Sequence, residues 1–210
     1  MTNRLVSFGC SHTYGDSLFD EASRTNRNIK EPSKYAWPNV LAQQLNKKCI
    51  NLSCKGASNK EICYRILNTN FFTEDYVLLL WTHTGRTCIL QDNFAVKQLH
   101  SHDKAYNLKE SKIYYANFYT ECDAIQTDFF YINLANLYLQ SLNLDLVVNL
   151  LISDDMLNNN FVPTLWNKVN FQDFYFKEFL DSYPKAYDGS HMGEEGHIAY
   201  ANQIFHKFFK

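Results

Sequence analysis

The chain has 210 residues, a formal net charge of −2, and a composition that is 46% hydrophobic and 16% aromatic. This composition supports a large apolar core and argues against disorder. The length suits one α/β domain and is also compatible with two small ones, and we expect residues 1–210 to form a single domain. The near-neutral charge gives no electrostatic basis for binding nucleic acid or an anionic membrane surface.

No apolar run approaches the ~20 residues that a membrane-spanning helix needs. The N-terminus lacks the apolar stretch and cleavage site of a signal peptide, so we expect a cytoplasmic protein. In that compartment cysteines remain reduced thiols. The chain has six cysteines, which are Cys10, Cys49, Cys54, Cys63, Cys88 and Cys122. They form no C-x-x-C pair and match no zinc-binding spacing, so we expect no disulfide and no metal site. We also expect no cofactor.

In chain order, residues 4–7 form a short apolar run that predicts a buried strand leading straight into a turn of small residues. Residues 16–36 are polar and mixed, which predicts a long loop beside that turn. A helix is predicted at residues 37–46, where Pro38 suits the first helical turn, and a short strand follows at residues 49–52.

A second turn of small residues precedes a predicted helix at residues 60–68, which Ser58 or Asn59 would cap. Residues 76–81 form the clearest strand, because a continuous apolar run indicates a parallel strand that is covered on both faces. Residues 87–127 show little periodicity, which predicts an irregular segment that contains one helix.

The last third of the chain repeats the alternation of helix and strand. An apolar stripe predicts a helix at residues 128–142, followed by a buried strand at 144–152 and a loop at 153–170. Helices are then predicted at residues 171–183 and 193–209. Alternating strands and helices predict a three-layer α/β/α sandwich with a mainly parallel central sheet.

Ser11 is the candidate nucleophile. It lies in the turn directly after the first strand, between Gly9 and Gly15, and open α/β sheets bind ligands beyond the carboxyl ends of their strands. By itself this segment is also compatible with an ordinary turn, in which serine and glycine are common.

The candidate partner is the segment Asp188-Gly-Ser-His191, just before the last helix. An Asp three residues before a His can accept the imidazole N–H, and the free ring nitrogen can then take a proton from a serine hydroxyl. The alternative is a surface turn with a capping Asp and an exposed His. Similarly, the Gly56 amide either points at a ligand oxyanion or belongs to a turn that only redirects the chain.

Three ordered segments resemble the sequence blocks of the SGNH (GDSL-type) hydrolases. Residues 8–15, Phe-Gly-Cys-Ser-His-Thr-Tyr-Gly, are similar to F-G-D-S-x-T-x-G, with Cys10 where Asp is usual. Residues 51–59 resemble the second block, whose glycine is Gly56. The segment that begins at Asp188 resembles the last block, D-x-x-H-P-x-x-x-G-[HY], with Met192 in place of the Pro.

The resemblance implies a flavodoxin-like SGNH hydrolase fold and catalysis through an acyl-enzyme. Ser11 would be the nucleophile, His191 the base and Asp188 the residue that orients it. The Ser11 and Gly56 amides would hold the oxyanion. Residues 37–46 are also similar to members found in phages and bacteria, which is compatible with a virus-encoded protein.

One block departs from the family pattern. The third block is G-x-N-D, whose Asn donates to the oxyanion, but the strand here ends in Trp-Thr-His-Thr-Gly-Arg. An ungapped match puts Thr84 at the Asn position, and His83 or Arg86 are alternatives. Removing one oxyanion donor costs about 10²–10³ in rate, so this departure weakens the prediction of an active enzyme.

The leading hypothesis is a serine esterase that acts on a small-molecule or carbohydrate ester and, by resemblance, on an acetyl group of a glycan. A non-catalytic glycan- or ligand-binding module on the same fold is a second hypothesis. An acyltransferase that uses the same Ser-His-Asp set is a third. The sequence does not define the oligomeric state.

Overall fold

The computed structural model describes residues 3–23, 31–91, 96–100, 109–158 and 169–210. Five strands form one sheet in the order β2-β1-β3-β6-β7, and every neighbouring pair in it is parallel. The other two strands, β4 and β5, form a separate antiparallel hairpin. The strands are β1 (Arg4–Phe8), β2 (Lys48–Asn51), β3 (Tyr76–Trp81), β4 (Thr87–Leu90), β5 (Val96–Leu99), β6 (Leu146–Leu151) and β7 (Phe171–Tyr175).

The helices cover both faces of the sheet. Helix α3 packs against α8, and α4 packs against α6. Because parallel strands are joined by right-handed crossovers, α3 lies on one face and α4 and α6 on the other, which confirms the predicted three-layer α/β/α sandwich. The helices are α1 (Ser11–Tyr14), α2 (Phe19–Ala22), α3 (Trp37–Gln44), α4 (Asn59–Leu67), α5 (Lys109–Asn117), α6 (Glu121–Ser141), α7 (Phe176–Ser182) and α8 (Glu194–Phe209).

Strand β3 is the centre of the core. Residues 77–81 are fully buried, as expected for a parallel strand with helices on both faces. Two buried amides lie beside the end of this strand: Asn149 of β6 accepts a hydrogen bond from Trp81 Nε1 at 2.9 Å and donates one to Asn136 Oδ1 of α6 at 2.7 Å. These bonds satisfy the Asn149 amide away from water.

The predicted helix at residues 171–183 is wrong in its first half. Residues 171–175 form β7, which pairs with β6 at the edge of the sheet, and the helix begins only at Phe176. Aromatic residues are favoured in strands, and Phe174 is buried while Asp173 is exposed. Pairing with β6 therefore decides the structure of a segment whose composition also suits a helix.

Two other boundaries differ from the sequence prediction. Helix α6 begins at Glu121, seven residues earlier than expected, because Thr120 caps it by accepting a hydrogen bond from Asp123 N at 3.1 Å. The irregular segment at residues 87–127 contains the β4–β5 hairpin and α5. Parts of three predicted irregular segments lie outside the described residues. These parts are residues 24–30 of the first, 92–95 and 101–108 of the second, and 159–168 of the third. In the part of the chain that the structure describes, no helix is long and apolar enough to cross a membrane.

Candidate active site

Three of the predicted site residues follow neighbouring strand ends. Ser11 comes after β1, Gly56 after β2 and Thr84 after β3, and these strands are adjacent in the order β2-β1-β3. Because the strands are parallel, their carboxyl ends lie along the same edge of the sheet. Chain segments that are 28 to 73 residues apart in the sequence are therefore neighbours at this edge.

Ser11 is the first residue of the short helix α1 and is 6% exposed. The first amides of a helix have no intrahelical acceptor, so the Ser11 N–H is available to a ligand. The turn requires glycine at position 9, since a Cβ there would lie 2.7 Å from Thr13 Cβ and 3.2 Å from Leu80 O. Cys10, which stands where the family has Asp, is fully buried in the core, a position that suits a small apolar side chain.

The Gly56 loop is attached to the segment that carries Ser11. Cys54 N donates to Gly9 O at 3.1 Å, and Asn51 Nδ2 donates to Thr13 O at 2.8 Å. Gly56 has a φ of +72°, in the left-handed region that favours glycine. Its amide donates no hydrogen bond to any described residue, so it remains available for an oxygen atom at the sheet edge.

Asp188 and His191 form the pair that the sequence predicted. The Nδ1 atom of His191 lies 2.5 Å from Asp188 Oδ2, and the His191 N–H donates to Asp188 Oδ1 at 3.0 Å. Partial burial raises the pKa of Asp188, but hydrogen bonds from the backbone and side chains of His191 and Ser190 outweigh it and hold that pKa well below its usual value. The ionised carboxylate fixes the proton on Nδ1 and leaves Nε2 as the acceptor.

The His191 ring lies beside α1. Its centroid is 5.1 Å from that of His12, the residue that follows Ser11. Its Nε2 atom lies 4.0 Å from Asp16 Oδ2, which is beyond hydrogen-bonding distance, and no hydrogen bond joins it to Ser11. The structure thus brings His191 together with Asp188 and with the α1 segment, without a direct bond between His191 and Ser11.

Sequence reasoning missed Asp16 as a neighbour of this site. Its carboxylate faces His191 and also forms an ion pair with Lys55 Nζ at 2.6 Å. Lys55 forms a second ion pair, with Glu21, also at 2.6 Å. Lys55 precedes Gly56, so these ion pairs connect the Gly56 loop to the segment after α1. The only sequence signal was the presence of charged residues next to two of the blocks.

His12 packs inside the site as a neutral ring. It is 8% exposed, its centroid is 4.9 Å from that of Phe176, and its Nδ1 has no hydrogen-bond partner. Burial is the main cause, followed by electrostatic interaction with the neighbouring His191 and His83 rings, and together they lower the pKa of His12 well below its usual value. His12 therefore contacts the His191 ring without adding a charge.

At the third strand end, Thr84 is half-buried and His83 is exposed. Arg86 donates from Nη1 to Thr82 Oγ1 at 3.0 Å. The residue that fixes this strand end is Asn59, which is fully buried and forms two hydrogen bonds with the Thr82 backbone. Ser58 caps α4, which confirms one of the two capping residues predicted from the sequence. The hydrogen bonds of Asn59 to Thr82 were not predicted.

The last block also has structural roles. Met192 is fully buried, and a Cβ on Gly196 would lie 2.7 Å from its Sδ atom, so the side chain that replaces proline packs against this glycine. His197 Nδ1 accepts a hydrogen bond from Trp37 N at 3.1 Å, which joins α8 to the start of α3. Burial lowers the pKa of His197 to about 3 and keeps its ring neutral.

All six cysteines are described and each is unpaired. Within the described ranges, no group of three or more His, Cys, Asp or Glu side chains is arranged to hold a metal ion.

No protein-family model and no curated protein matches the chain. Solved structures do match it at low sequence identity. A putative lipolytic protein of the G-D-S-L family from Desulfitobacterium hafniense DCB-2 aligns over 96% of this chain and 97% of its own, with 12% identity and a TM-score of 0.52. A psychrotrophic esterase from Pseudoalteromonas sp. aligns over 97% of this chain and 95% of its own, with 12% identity and a TM-score of 0.51.

An acetyl xylan esterase from the rumen bacterium Butyrivibrio proteoclasticus aligns over 98% of this chain and 63% of its own, with 11% identity and a TM-score of 0.53. These similarities show that the chain has the fold of the G-D-S-L (SGNH) proteins, as the three sequence blocks implied. At this level of identity they concern the fold alone, so the chemistry has to be argued from the site.

Proposed function

We propose that this protein is a serine esterase that hydrolyses a carboxylic ester through an acyl-enzyme. The observation that supports the proposal is the Asp188–His191 pair, whose ring lies 5.1 Å from that of His12, next in the chain to Ser11. A base oriented by a carboxylate and close to a serine at a strand end is the arrangement that nucleophilic acyl transfer requires.

In the acylation step, Ser11 Oγ attacks the ester carbonyl carbon while His191 Nε2 takes the hydroxyl proton. The amides of Ser11 and Gly56 and the hydroxyl of Thr84 donate to the oxyanion. The carbon–oxygen bond to the alcohol then breaks, and the alcohol leaves with the proton from His191. Asp188 stabilises the imidazolium that exists between these two proton transfers.

In the deacylation step, water attacks the acyl carbon and gives a proton to His191 Nε2. The tetrahedral intermediate collapses, the acid is released, and Ser11 Oγ recovers its proton. Acylation requires Nε2 to approach Ser11 Oγ from its position near Asp16. Such catalytic hydrogen bonds are often long in the free enzyme and tighten when substrate binds.

We further propose that the alcohol part of the substrate is a carbohydrate. An open groove of about 490 Å³ flanks the loop that carries Asp188 and His191. The residues that line it include the aromatic Phe19, Tyr35 and Tyr187 and two glutamates at the start of α8. Aromatic rings beside hydrogen-bond acceptors suit a sugar, which has both apolar faces and hydroxyl groups.

A binding module without turnover is the second candidate, because the third strand end lacks the oxyanion Asn and no hydrogen bond joins His191 to Ser11. An acyltransferase would use the same acyl-enzyme, with a sugar hydroxyl in place of water.

The test is hydrolysis of p-nitrophenyl acetate and of acetylated sugars by the wild type and by variants. Ser11→Ala and His191→Ala should each abolish turnover, since nucleophile and base act as one unit. Thr84→Ala should lower kcat with little change in KM. Ser141→Ala, a change at an exposed serine of α6, is the matched control and should be silent. Binding of sugars by a wild type that hydrolyses none of a broad ester panel would support the binding module instead.

A further inference from the structure

A glutamine side chain of the β4–β5 hairpin is bound to the peptide unit that carries the Gly56 amide. Gln98 of β5 donates from Nε2 to Lys55 O at 2.8 Å. The Lys55 carbonyl and the Gly56 N–H belong to the same peptide unit, which is planar and trans. Their bonds therefore point in opposite directions, so a hydrogen bond that holds the Lys55 oxygen also sets the direction of the Gly56 N–H.

The Gln98 side chain is itself held in one orientation. Its Nε2 also donates to Glu61 Oε2 at 2.8 Å, and the other Glu61 oxygen accepts from Arg65 Nη2 at 2.7 Å. A backbone carbonyl and a carboxylate that binds a guanidinium are both acceptors, so the nitrogen of the Gln98 amide has to face them. Glu61 is 1% exposed, so water does not compete for this carboxylate.

The peptide unit that Gln98 holds is the centre of a β-turn over residues 54–57. Ala57 N donates to Cys54 O at 3.1 Å, and Gly56, the third residue of the turn, has a φ of +72° whereas the φ of Lys55 is not positive. These features define a type II turn.

A type I turn over the same four residues differs from it mainly by a flip of the central peptide unit. Glycine permits both forms at the third position, because it has no Cβ to exclude either. The Gly56 amide donates no hydrogen bond to any residue that the structure describes, so no acceptor of its own holds it in the type II form. The bond from Gln98 to Lys55 O holds the same unit from its carbonyl side.

We propose that Gln98 is a positioning residue for the oxyanion site: by binding the Lys55 carbonyl, it keeps the Gly56 N–H in the direction from which it donates to the oxyanion. The inference rests on the proposed esterase function and on the part of Gly56 in it. A hydrogen bond at the carbonyl also polarises the peptide unit, which makes its N–H a stronger donor. In the flipped, type I form the Lys55 oxygen would take the place of the N–H, and it would repel an oxyanion instead of binding it.

The experiment compares Gln98→Met, Gln98→Asn and the control Lys97→Met. Methionine has a similar length but no N–H donor, and asparagine keeps the amide but is one methylene shorter. Lys97→Met makes the same kind of change at the next residue of β5, where it removes an ion pair of 2.6 Å that joins the hairpin to Glu110 of α5. Steady-state hydrolysis of p-nitrophenyl acetate and thermal unfolding would be measured for each variant, together with the nitrogen resonance of the Gly56 amide.

Gln98→Met and Gln98→Asn should each lower kcat by about 10–10² with KM within about twofold, because the Gly56 N–H binds the oxyanion only in the transition state. This loss is smaller than the 10²–10³ of a missing donor, since the freed peptide unit still samples the type II form. The nitrogen resonance of Gly56 should move in both variants, because it senses the hydrogen bond at the carbonyl of its own peptide unit. Lys97→Met should match the wild type in kcat and in this resonance.

Wild-type kcat in a folded Gln98 variant would overturn the inference, and so would an effect confined to KM, an unmoved Gly56 resonance, or an equal loss in Lys97→Met. If Gln98→Met does not fold, Gln98→Asn, which keeps a polar side chain, decides by the same criteria. In all of these cases Ser11-dependent turnover of the wild type would remain, so the proposed esterase function would stand. If instead the wild type shows no Ser11-dependent turnover, the proposed function fails and this inference fails with it.

Discussion

The side-chain amide of Asn59 pairs with both backbone polar groups of Thr82: Nδ2 donates to Thr82 O at 3.1 Å, and Oδ1 accepts from Thr82 N at 2.8 Å. Asn59 is the first residue of α4, and Thr82 is the residue at which the chain leaves β3. These bonds fix the position from which Thr84 and the β4–β5 hairpin extend.

Asn59→Ala should therefore destabilise the protein. It leaves a buried N–H and a buried C=O of Thr82 without partners, at a cost of about 2–4 kcal/mol in the free energy of unfolding. Urea denaturation would measure this change. Asn68→Ala, at the exposed end of the same helix, is the control and should change stability by less than about 0.5 kcal/mol. A comparable, small effect of both substitutions would show that Asn59 does not hold the strand end.

Asp128 of α6 is 3% exposed, and its Oδ2 has no hydrogen-bond partner. Burial raises its pKa well above the usual value, and the nearby Asn59 side chain only partly opposes this. The folded chain therefore holds a proton that the unfolded chain releases above about pH 4, so this residue costs the folded state progressively more stability as pH rises.

Asp128→Asn should raise the melting temperature at pH 7 and have a smaller effect at pH 4. For a chain of this length each kcal/mol corresponds to about 2–4 °C. Asp123→Asn, at an exposed position of the same helix, is the control. A melting-temperature difference that does not change between pH 4 and pH 7 would contradict a buried protonated carboxyl group.

Asp188→Asn should lower kcat by about 10²–10⁴, less than Ser11→Ala or His191→Ala, because His191 keeps a hydrogen-bonding neighbour but loses the anion that stabilises its charged form. The pKa of Asp188 is held below its unfolded value. Its contribution to stability is therefore fully present above about pH 4 and is lost as pH falls below that value.

Thermal unfolding of the wild type and Asp188→Asn between pH 3 and pH 8 would test this dependence. The difference between the two proteins should be constant above pH 5 and should shrink in acid. Asp181→Asn, at an exposed position of α7, provides the comparison. A difference that grows as the pH falls would reverse the expected sign.

The cysteines should differ in reactivity. Burial raises the pKa values of Cys49 and Cys63 to about 12, whereas Cys122 is exposed on α6. Because the thiolate is the reactive form, a thiol reagent at pH 8 should modify Cys122 quickly and Cys49 and Cys63 slowly in the folded protein, with all six reacting after denaturation. Mass mapping would assign the sites, and Cys122→Ser should remove the fast phase. A disulfide in the unreduced protein would refute the expected free thiols.

Some parts of this structure could be predicted from sequence because local patterns determine them. The apolar run at residues 76–81 predicted β3, since a parallel strand buried on both faces needs apolar residues throughout. The spacing of Asp188 and His191 predicted their contact, since three residues in a turn suffice to close it. The position of Ser11 directly after β1 could be predicted because an apolar run and two glycines mark that turn.

Other parts depend on contacts between distant segments. Asn59 meets Thr82, Asp16 meets His191, and Gln98 meets Lys55 only after the sheet and the hairpin have formed. Nothing in the local sequence around these residues indicates their partners. The same limit explains β7, whose pairing with β6 overrides a composition that also suits a helix.

The most direct test of the account is labelling with a fluorophosphonate, which forms a covalent bond to an activated serine and releases fluoride. Incubation of the wild-type protein, proteolysis and mass mapping should find one stoichiometric adduct, on Ser11. Ser11→Ala should remain unlabelled, and His191→Ala should be labelled far more slowly, because the base that activates the hydroxyl is missing. An intact, folded wild type that carries no adduct, or an adduct at another serine with Ser11 unmodified, would contradict the proposal that Ser11 is an activated nucleophile.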